Sequence, residues 1–319
     1  MILDRATGNV EHGVFRDLPG VLRPQDCLVL NKTQVVPAKF TARRASGGRI
    51  TGLFIREERR GHWDVMLNGA KRLKPNERMQ LGESEWSMEF LRRRERGFCD
   101  VRIDPGDPAS VILGQIGMTP LPPYIRRDDA ASQELRRLDH ARYQTVYAAV
   151  PGAVAAPTAG MHFTDGVLNE IHGKGVSTAE VVLHVGLGTF QPIEVDDLSD
   201  HAMHREWFDF PESSVDVIGR SRAARGRILA VGTTVVRVLE TCAQEGRLQA
   251  RNGWTDILIY PPFTFRATDL ILTNFHLPGS TLLALVSAFA GRELVMEAYG
   301  IAIREGYRFY SYGDAMLIM

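Results

Sequence analysis

With 319 residues the chain is long enough for two cores, or for one large core carrying an insertion. Hydrophobic residues at 44% and charged residues at 24% are globular proportions, which exclude wholesale disorder. Lys plus Arg and Asp plus Glu both total 38, so the whole molecule has no long-range field to gather a polyanion and any such contact must be a local patch.

Residues 1–10 mix Asp4 and Arg5 with small side chains and lack the apolar stretch of an export signal. The most apolar run, 282–291, is far short of the roughly 20 residues that cross a bilayer, so a buried helix is expected there. Cys27, Cys99 and Cys242 form neither a CxxC pair nor a compact disulfide pattern; each is expected as a small core hydrophobe in a cytoplasmic protein.

In chain order, 26–31 is an apolar run able to join a sheet. Between 35 and 117, short segments rich in aromatic and branched residues (52–55, 62–67, 86–91 and 98–103) are punctuated by Gly and Pro, which predicts a small β-barrel or sandwich. This stretch is basic: 39–102 holds 16 Lys and Arg against 9 Asp and Glu. Clusters such as Lys71, Arg72 and Lys74 can neutralise phosphates. The 120–123 run Pro-Leu-Pro-Pro cannot continue a helix or a central strand and marks a return crossing.

From 155 onward, strand-like runs at 176–184, 227–231, 256–260 and 270–273 alternate with helical patterns at 165–172, 212–225, 234–245, 280–290 and 292–305. Ser280, following Pro278-Gly279, is placed to cap its helix. The expected fold class is α/β: a discontinuous α/β domain, 1–38 and 118–319, with a small β-barrel domain inserted at 39–117.

Polar residues of catalytic type crowd the expected strand ends, where an α/β sheet places its ligand crevice. Thr158, Gly160 and His162 combine close backbone approach with an imidazole, although a lone strand-end histidine is more often a satisfied structural group. His184 precedes Gly186 and Gly188, but Gln191 stands where a dinucleotide fingerprint needs its third glycine and Pro192 obstructs the helix, so a nicotinamide reading is poorly supported. Gly232, Thr233 and Thr234 follow a strand and open a helix with free amides. His204, Arg205, Glu206 and Trp207 bring a cation, a carboxylate and an aromatic face, suited to a sulfonium or a stacked base. Asn274 and His276 run into the helix capped by Ser280, and Asp314 lies near the end of the chain. There is no GxxxxGK[ST], HExxH, paired-cysteine knuckle or GxSxG, and no spacing asks for a metal.

The strings CLVLNKTQVVPAKF, PLPPYIRR, RYQTVYA, AAPTAGMHF, LHVGLGTFQPI, MHREWF, AVGTTVVRVLE, GWTDILIYPP, LILTNFHLPGSTLLALVSAFAG and YRFYSYGDAMLI span nearly the whole chain in order. They closely resemble the S-adenosylmethionine:tRNA ribosyltransferase-isomerase family. The resemblance implies an α/β domain carrying a β-barrel, and transfer with isomerisation of the ribosyl part of S-adenosylmethionine onto 7-aminomethyl-7-deazaguanine at a tRNA wobble position. Products are epoxyqueuosine-tRNA, adenine and methionine; no cofactor is implied beyond S-adenosylmethionine as co-substrate, and no metal. A cytoplasmic monomer with tRNA as its partner is expected.

On this reading His162, His184, Glu206 and His276 are candidates for proton transfer, unranked. Thr158, Gly160, Gly186, Gly188, His204, Gly232, Thr233, Thr234, Asp256, Asn274, Ser280 and Asp314 are candidates for holding substrate. Lys71, Arg72, Lys74, Arg126 and Arg127 are candidates for tRNA contact. Family members carry a leading segment ahead of the residues that match 1–4 here, so the alternative is a shortened, non-catalytic homologue that binds tRNA or an adenosyl ligand.

Overall fold

The computed structural model describes residues 1–122, 124–125, 127, 133–186, 193–243 and 246–319. Two compact units form, Met1–Gln34 with Gln144–Met319, and Val35–Tyr143. The fold is thus a discontinuous α/β domain with a small inserted barrel.

In the second unit, six antiparallel strands close a barrel in the spatial order Phe98–Asp104, His62–Leu67, Arg49–Arg59, Lys39–Arg44, Glu77–Leu81 and Ser87–Arg93. Alternating side chains such as Phe40, Ile50, Trp63, Val65, Leu81 and Met88 fill its interior. Gly52 is needed here, because the Phe40 ring lies where any β-carbon at that position would sit.

The first unit is built on a nine-stranded sheet. Its order is Arg251–Thr255, Glu206–Phe210, Ser177–Leu183, Cys27–Asn31, Ile228–Val231, Leu270–Asn274, Ala315–Ile318, Ile2–Leu3 and Val10–Glu11. The four strands from Ser177–Leu183 to Leu270–Asn274 run parallel. Being covered on both faces, they read as continuous apolar runs. Their side chains divide by the strand period of two between two cores: Val29, Val181, Ala230 and Ile271 on one face, Leu28, Leu30, Leu229 and Leu272 on the other.

The helices follow their capping chemistry. Ser280 accepts a bond from the Leu283 amide at 3.2 Å and starts Thr281–Ala290, and Thr164 does the same for Asp165–Gly173 through the Val167 amide at 3.3 Å. The helix Thr233–Cys242 is buried all round, including Arg237 and Glu240. Its Glu240 carboxylate accepts the Arg266 and Ala267 amides at 2.8 and 3.1 Å.

One expected strand is corrected. Residues 256–260 are irregular, and the strand is the preceding Arg251–Thr255, which pairs with Glu206–Phe210. Pro261 and Pro262 immediately follow the irregular segment and have no amide to give a ladder. All three cysteines are free and buried, and burial pushes the Cys242 thiol up to about 12, so it is an apolar filler and not a thiolate. No helix among the described residues is long and apolar enough to cross a membrane.

Candidate active site

The four parallel strands finish at Leu183, Asn31, Val231 and Asn274, side by side along the carboxyl edge where open α/β sheets hold ligands. Buried Asn31 ties that edge together. Its Oδ1 accepts the Leu183 and Thr33 amides at 3.0 and 3.2 Å, and its Nδ2 donates to the Leu183 carbonyl at 3.0 Å and to Thr234 Oγ1 at 3.3 Å. Every polar atom of the side chain is thereby satisfied inside the protein. Gly232, at φ 90°, turns the chain from its strand into the buried helix that begins with Thr233 and Thr234.

Two imidazoles stand on one face of this edge. His184 lies with Nδ1 2.8 Å from Thr33 Oγ1 and stacks on Trp207 at 5.2 Å between ring centroids and 22° between planes. A β-carbon on Gly152, whose φ is 151°, would stand 2.5 Å from the His184 ring, so the bare glycine makes the imidazole's seat. His162 ends the short turn Thr158–His162. Thr158 Oγ1 donates to Asn274 Oδ1 at 2.8 Å, which fixes the amide so that its Nδ2 donates to His162 Nε2 at 3.1 Å. The Nε2 lone pair is therefore occupied and the ring proton belongs on Nδ1. Phe15 stacks on the ring at 5.2 Å and 24°. Burial holds both histidines below their usual pKa; for His162 the nearby Asp314 partly opposes it. Both rings are thus biased toward the neutral form; on His162 the accepting lone pair is the Nε2 one that Asn274 engages, so taking a proton there requires that bond to open.

Glu206 and His276 lie on the opposite face. Adjacent residues of a strand point to opposite sides, so Trp207 shares its face with His184 while Glu206 shares its own with Phe208 and Phe210 of the other core. Asn274 likewise faces His162, and its neighbour Thr273 bonds His276 Nε2 at 2.8 Å. The Glu206 carboxylate accepts the Gly186 amide at 2.8 Å through Oε1 and pairs with Arg237 Nη1 through Oε2. His276 is fixed through its backbone amide, which donates to the Tyr299 hydroxyl at 2.8 Å, and burial pushes its imidazole down to about 4. The four proton-transfer candidates thus share a sheet edge in two pairs. Of the four, His162 alone lines the cavity of about 380 Å³ bounded by Phe15, Tyr307 and Asp314.

The His276 shift has a consequence for stability. Between its ordinary 6.5 and about 4 the unfolded chain holds more protons than the native one, so stability rises with pH in that window and is lost as pH falls through it. With allowance for partial exposure of the ring, the loss is on the order of 2 kcal/mol. Melting temperatures measured from pH 7 to 4 should show a smaller decline for His276→Gln than for the unaltered chain; parallel curves would remove the assignment.

The other expected residues scatter more. Gly160 is packed against the buried Tyr147 hydroxyl, which would overlap a β-carbon there. His204 is half-buried ahead of Glu206, Asp256 is exposed, Ser280 is a helix cap, and Asp314 accepts the Arg308 amide at 2.7 Å. Lys71, Arg72 and Lys74 are exposed on the barrel unit, and Arg127 makes a two-pronged bond to Asp139. Gly188 and Arg126 lie outside the described residues. No group of three His, Cys, Asp or Glu side chains among the described residues is arranged to hold a metal ion. Sequence reasoning missed Asn31, Thr33, Phe15, Gly152 and Arg237. Only Arg237 left a trace, as a cation inside the apolar run 235–239.

The family model described as "Queuosine biosynthesis protein" matches residues 1–318. The chain is 45% identical over 321 residues to the S-adenosylmethionine:tRNA ribosyltransferase-isomerase of Acetivibrio thermocellus, covering all of this chain and 92% of that one. The enzyme of the same name from Heliobacterium modesticaldum is 44% identical over 322 residues with the same coverage. The crystal structure of the S-adenosylmethionine tRNA ribosyltransferase of Thermotoga maritima matches with a TM-score of 0.54 at 34% identity, covering all of this chain and 91% of that one. The chain therefore belongs to the queuosine biosynthesis protein family.

Proposed function

We propose that the chain is an enzyme that transfers and isomerises the ribosyl part of S-adenosylmethionine onto 7-aminomethyl-7-deazaguanine at the wobble position of a tRNA, releasing adenine and methionine. The observation that carries this reading is the pair of imidazoles, His184 and His162, held by Thr33 and Asn274 on one face of the sheet edge and biased by burial to their neutral forms. Full-length identity near 45% to proteins bearing that name supports the same substrates.

The sulfonium makes a hydrogen on the adjacent ribose carbon acidic. A neutral imidazole takes that proton, adenine leaves, and the acceptor amine attacks the opened sugar before methionine departs. General-base chemistry of this kind needs a neutral acceptor, the form that burial favours at His162 and His184. Glu206, with its two oxygens engaged by Gly186 and Arg237, acts as a positioning residue for the 184–186 turn. His276 remains neutral and orients the Thr273 hydroxyl. Adenine released from S-adenosylmethionine only when the tRNA carries the deazaguanine is the expected result; binding of either substrate without release would establish the non-catalytic alternative.

Gly152→Ala should displace the His184 ring and lower adenine release about tenfold or more, while the melting temperature moves by only a few degrees. Release at the unaltered rate would show that the imidazole position does not matter. Lys71, Arg72 and Lys74 are proposed to meet the tRNA backbone. Reversing their charges should raise the tRNA Kd and flatten its salt dependence by about one unit of slope for each phosphate no longer neutralised. Unchanged affinity and slope would remove them.

A further inference from the structure

The barrel unit carries a second cavity, about 890 Å³, walled by the outer face of two barrel strands, the turn 117–119 and the helix Gln133–Arg142. Strand alternation makes that outer face. Phe40, Ala42 and Ile50 point into the barrel core, so Lys39, Thr41, Arg49 and Thr51 point outward, with Thr41 directly across from Thr51. The helix contributes Arg136, Arg137 and His140 from the other wall.

Among the described residues, the only acidic side chain lining the cavity is Asp139, and both its oxygens are taken by Arg127 at 2.9 and 2.8 Å. The Asp139 carboxylate is thus engaged by Arg127. Lys39 and Arg137 make no ion pair among the described residues. Lys39 on one wall and Arg137 on the other complement a ligand whose surface is acceptor oxygen and negative charge.

We propose that this cavity binds consecutive backbone phosphates of an RNA strand, an inference that rests on the reading of the chain as a tRNA-modifying enzyme. A single small anion is satisfied by one or two clustered cations. Here the cations occupy two opposed walls, with apolar Met118, Leu121 and Ile125 also lining the space, which suits a chain of phosphates alternating with sugars. The charge of the unit agrees: residues 35–143 contain 21 Lys and Arg against 15 Asp and Glu, so the rest of this neutral chain is acidic. The barrel unit is the basic part that a polyanion approaches.

The test uses the full chain and the tRNA, titrated at several salt concentrations. Lys39→Glu with Arg137→Glu should raise the Kd about tenfold at 0.1 M salt and reduce the slope of log Kd against log salt by about 2. Lys39→Gln and Arg137→Gln singly should each reduce it by about 1, and they keep the test valid if the double reversal fails to fold. S-adenosylmethionine affinity and melting temperature should not move. Unchanged Kd and slope in variants of a chain that still releases adenine would overturn the cavity assignment and leave the functional reading intact. Inorganic pyrophosphate that binds as tightly as tRNA and displaces it would show a small-anion pocket and overturn the RNA assignment. If the unaltered chain neither binds the tRNA nor releases adenine, both fall together.

Discussion

Arg237→Met should lower the melting temperature by roughly 10 °C, because the Arg237 and Glu206 side chains are 5% and 3% exposed and their charges are almost wholly withdrawn from water. Removing the cation alone strands a buried carboxylate, which costs about 3–5 kcal/mol, and each kcal/mol moves the melting point of a domain of this size by about 2–4 °C. Arg237 Nε also donates to the Ile257 carbonyl at 3.3 Å, a bond that Met cannot replace. Joint replacement, Glu206→Met with Arg237→Met, should recover most of the loss, because two apolar side chains of similar volume need no pairing. The double variant should nevertheless release adenine more slowly, since the Gly186 amide then loses its acceptor. A single variant that melts within about 2 °C of the unaltered chain, or a double variant no more stable than the single, would refute the account.

The second large effect concerns chemistry. His162→Ala and His184→Ala should each preserve S-adenosylmethionine binding to within a few-fold. At least one should lower single-turnover adenine release by about 10²–10⁴, the range a positioned general base supplies. The rate should hold its value to a lower pH than a free imidazole would allow. Burial depresses both pKa values, so the basic form persists below 6.5 and the acid limb of the profile is displaced downward. Release within threefold of the unaltered rate in both variants would take proton transfer away from this face of the sheet, leaving Glu206 and His276 as the groups to test.

Much of the fold is legible in the sequence because its signals are local. The run 62–67 is a strand with those bounds, the 292–305 pattern becomes Arg292–Arg304, and Ser280 caps as its chemistry requires. The 256–260 segment shows the limit. Its apolar residues cover buried surface without any neighbour offering a ladder, and pattern alone does not distinguish the two uses.

The candidate site is legible as a set of residue types and illegible as an arrangement. Thr33 lies 151 positions from His184 and Asn274 lies 112 from His162, so neither bond has a local signal. The division into two pairs depends on parity. Thr273 and Asn274 are neighbours in the chain and face different cores, a difference that has meaning only once the sheet's two sides are known. Arg237 escaped attention because a charge in an apolar helix is ordinarily read as its wet side.

Asn31 carries one more implication. By linking its own strand to Leu183 and to Thr234, it fastens three neighbouring segments at the mouth of the crevice. The floor cannot splay to admit a bulky nucleoside without breaking several internal bonds at once, so adaptation to a substrate has to come from the connections that rise above it. Amide hydrogen exchange would register this as deep protection at Leu183 and Thr33, persisting until the whole domain opens.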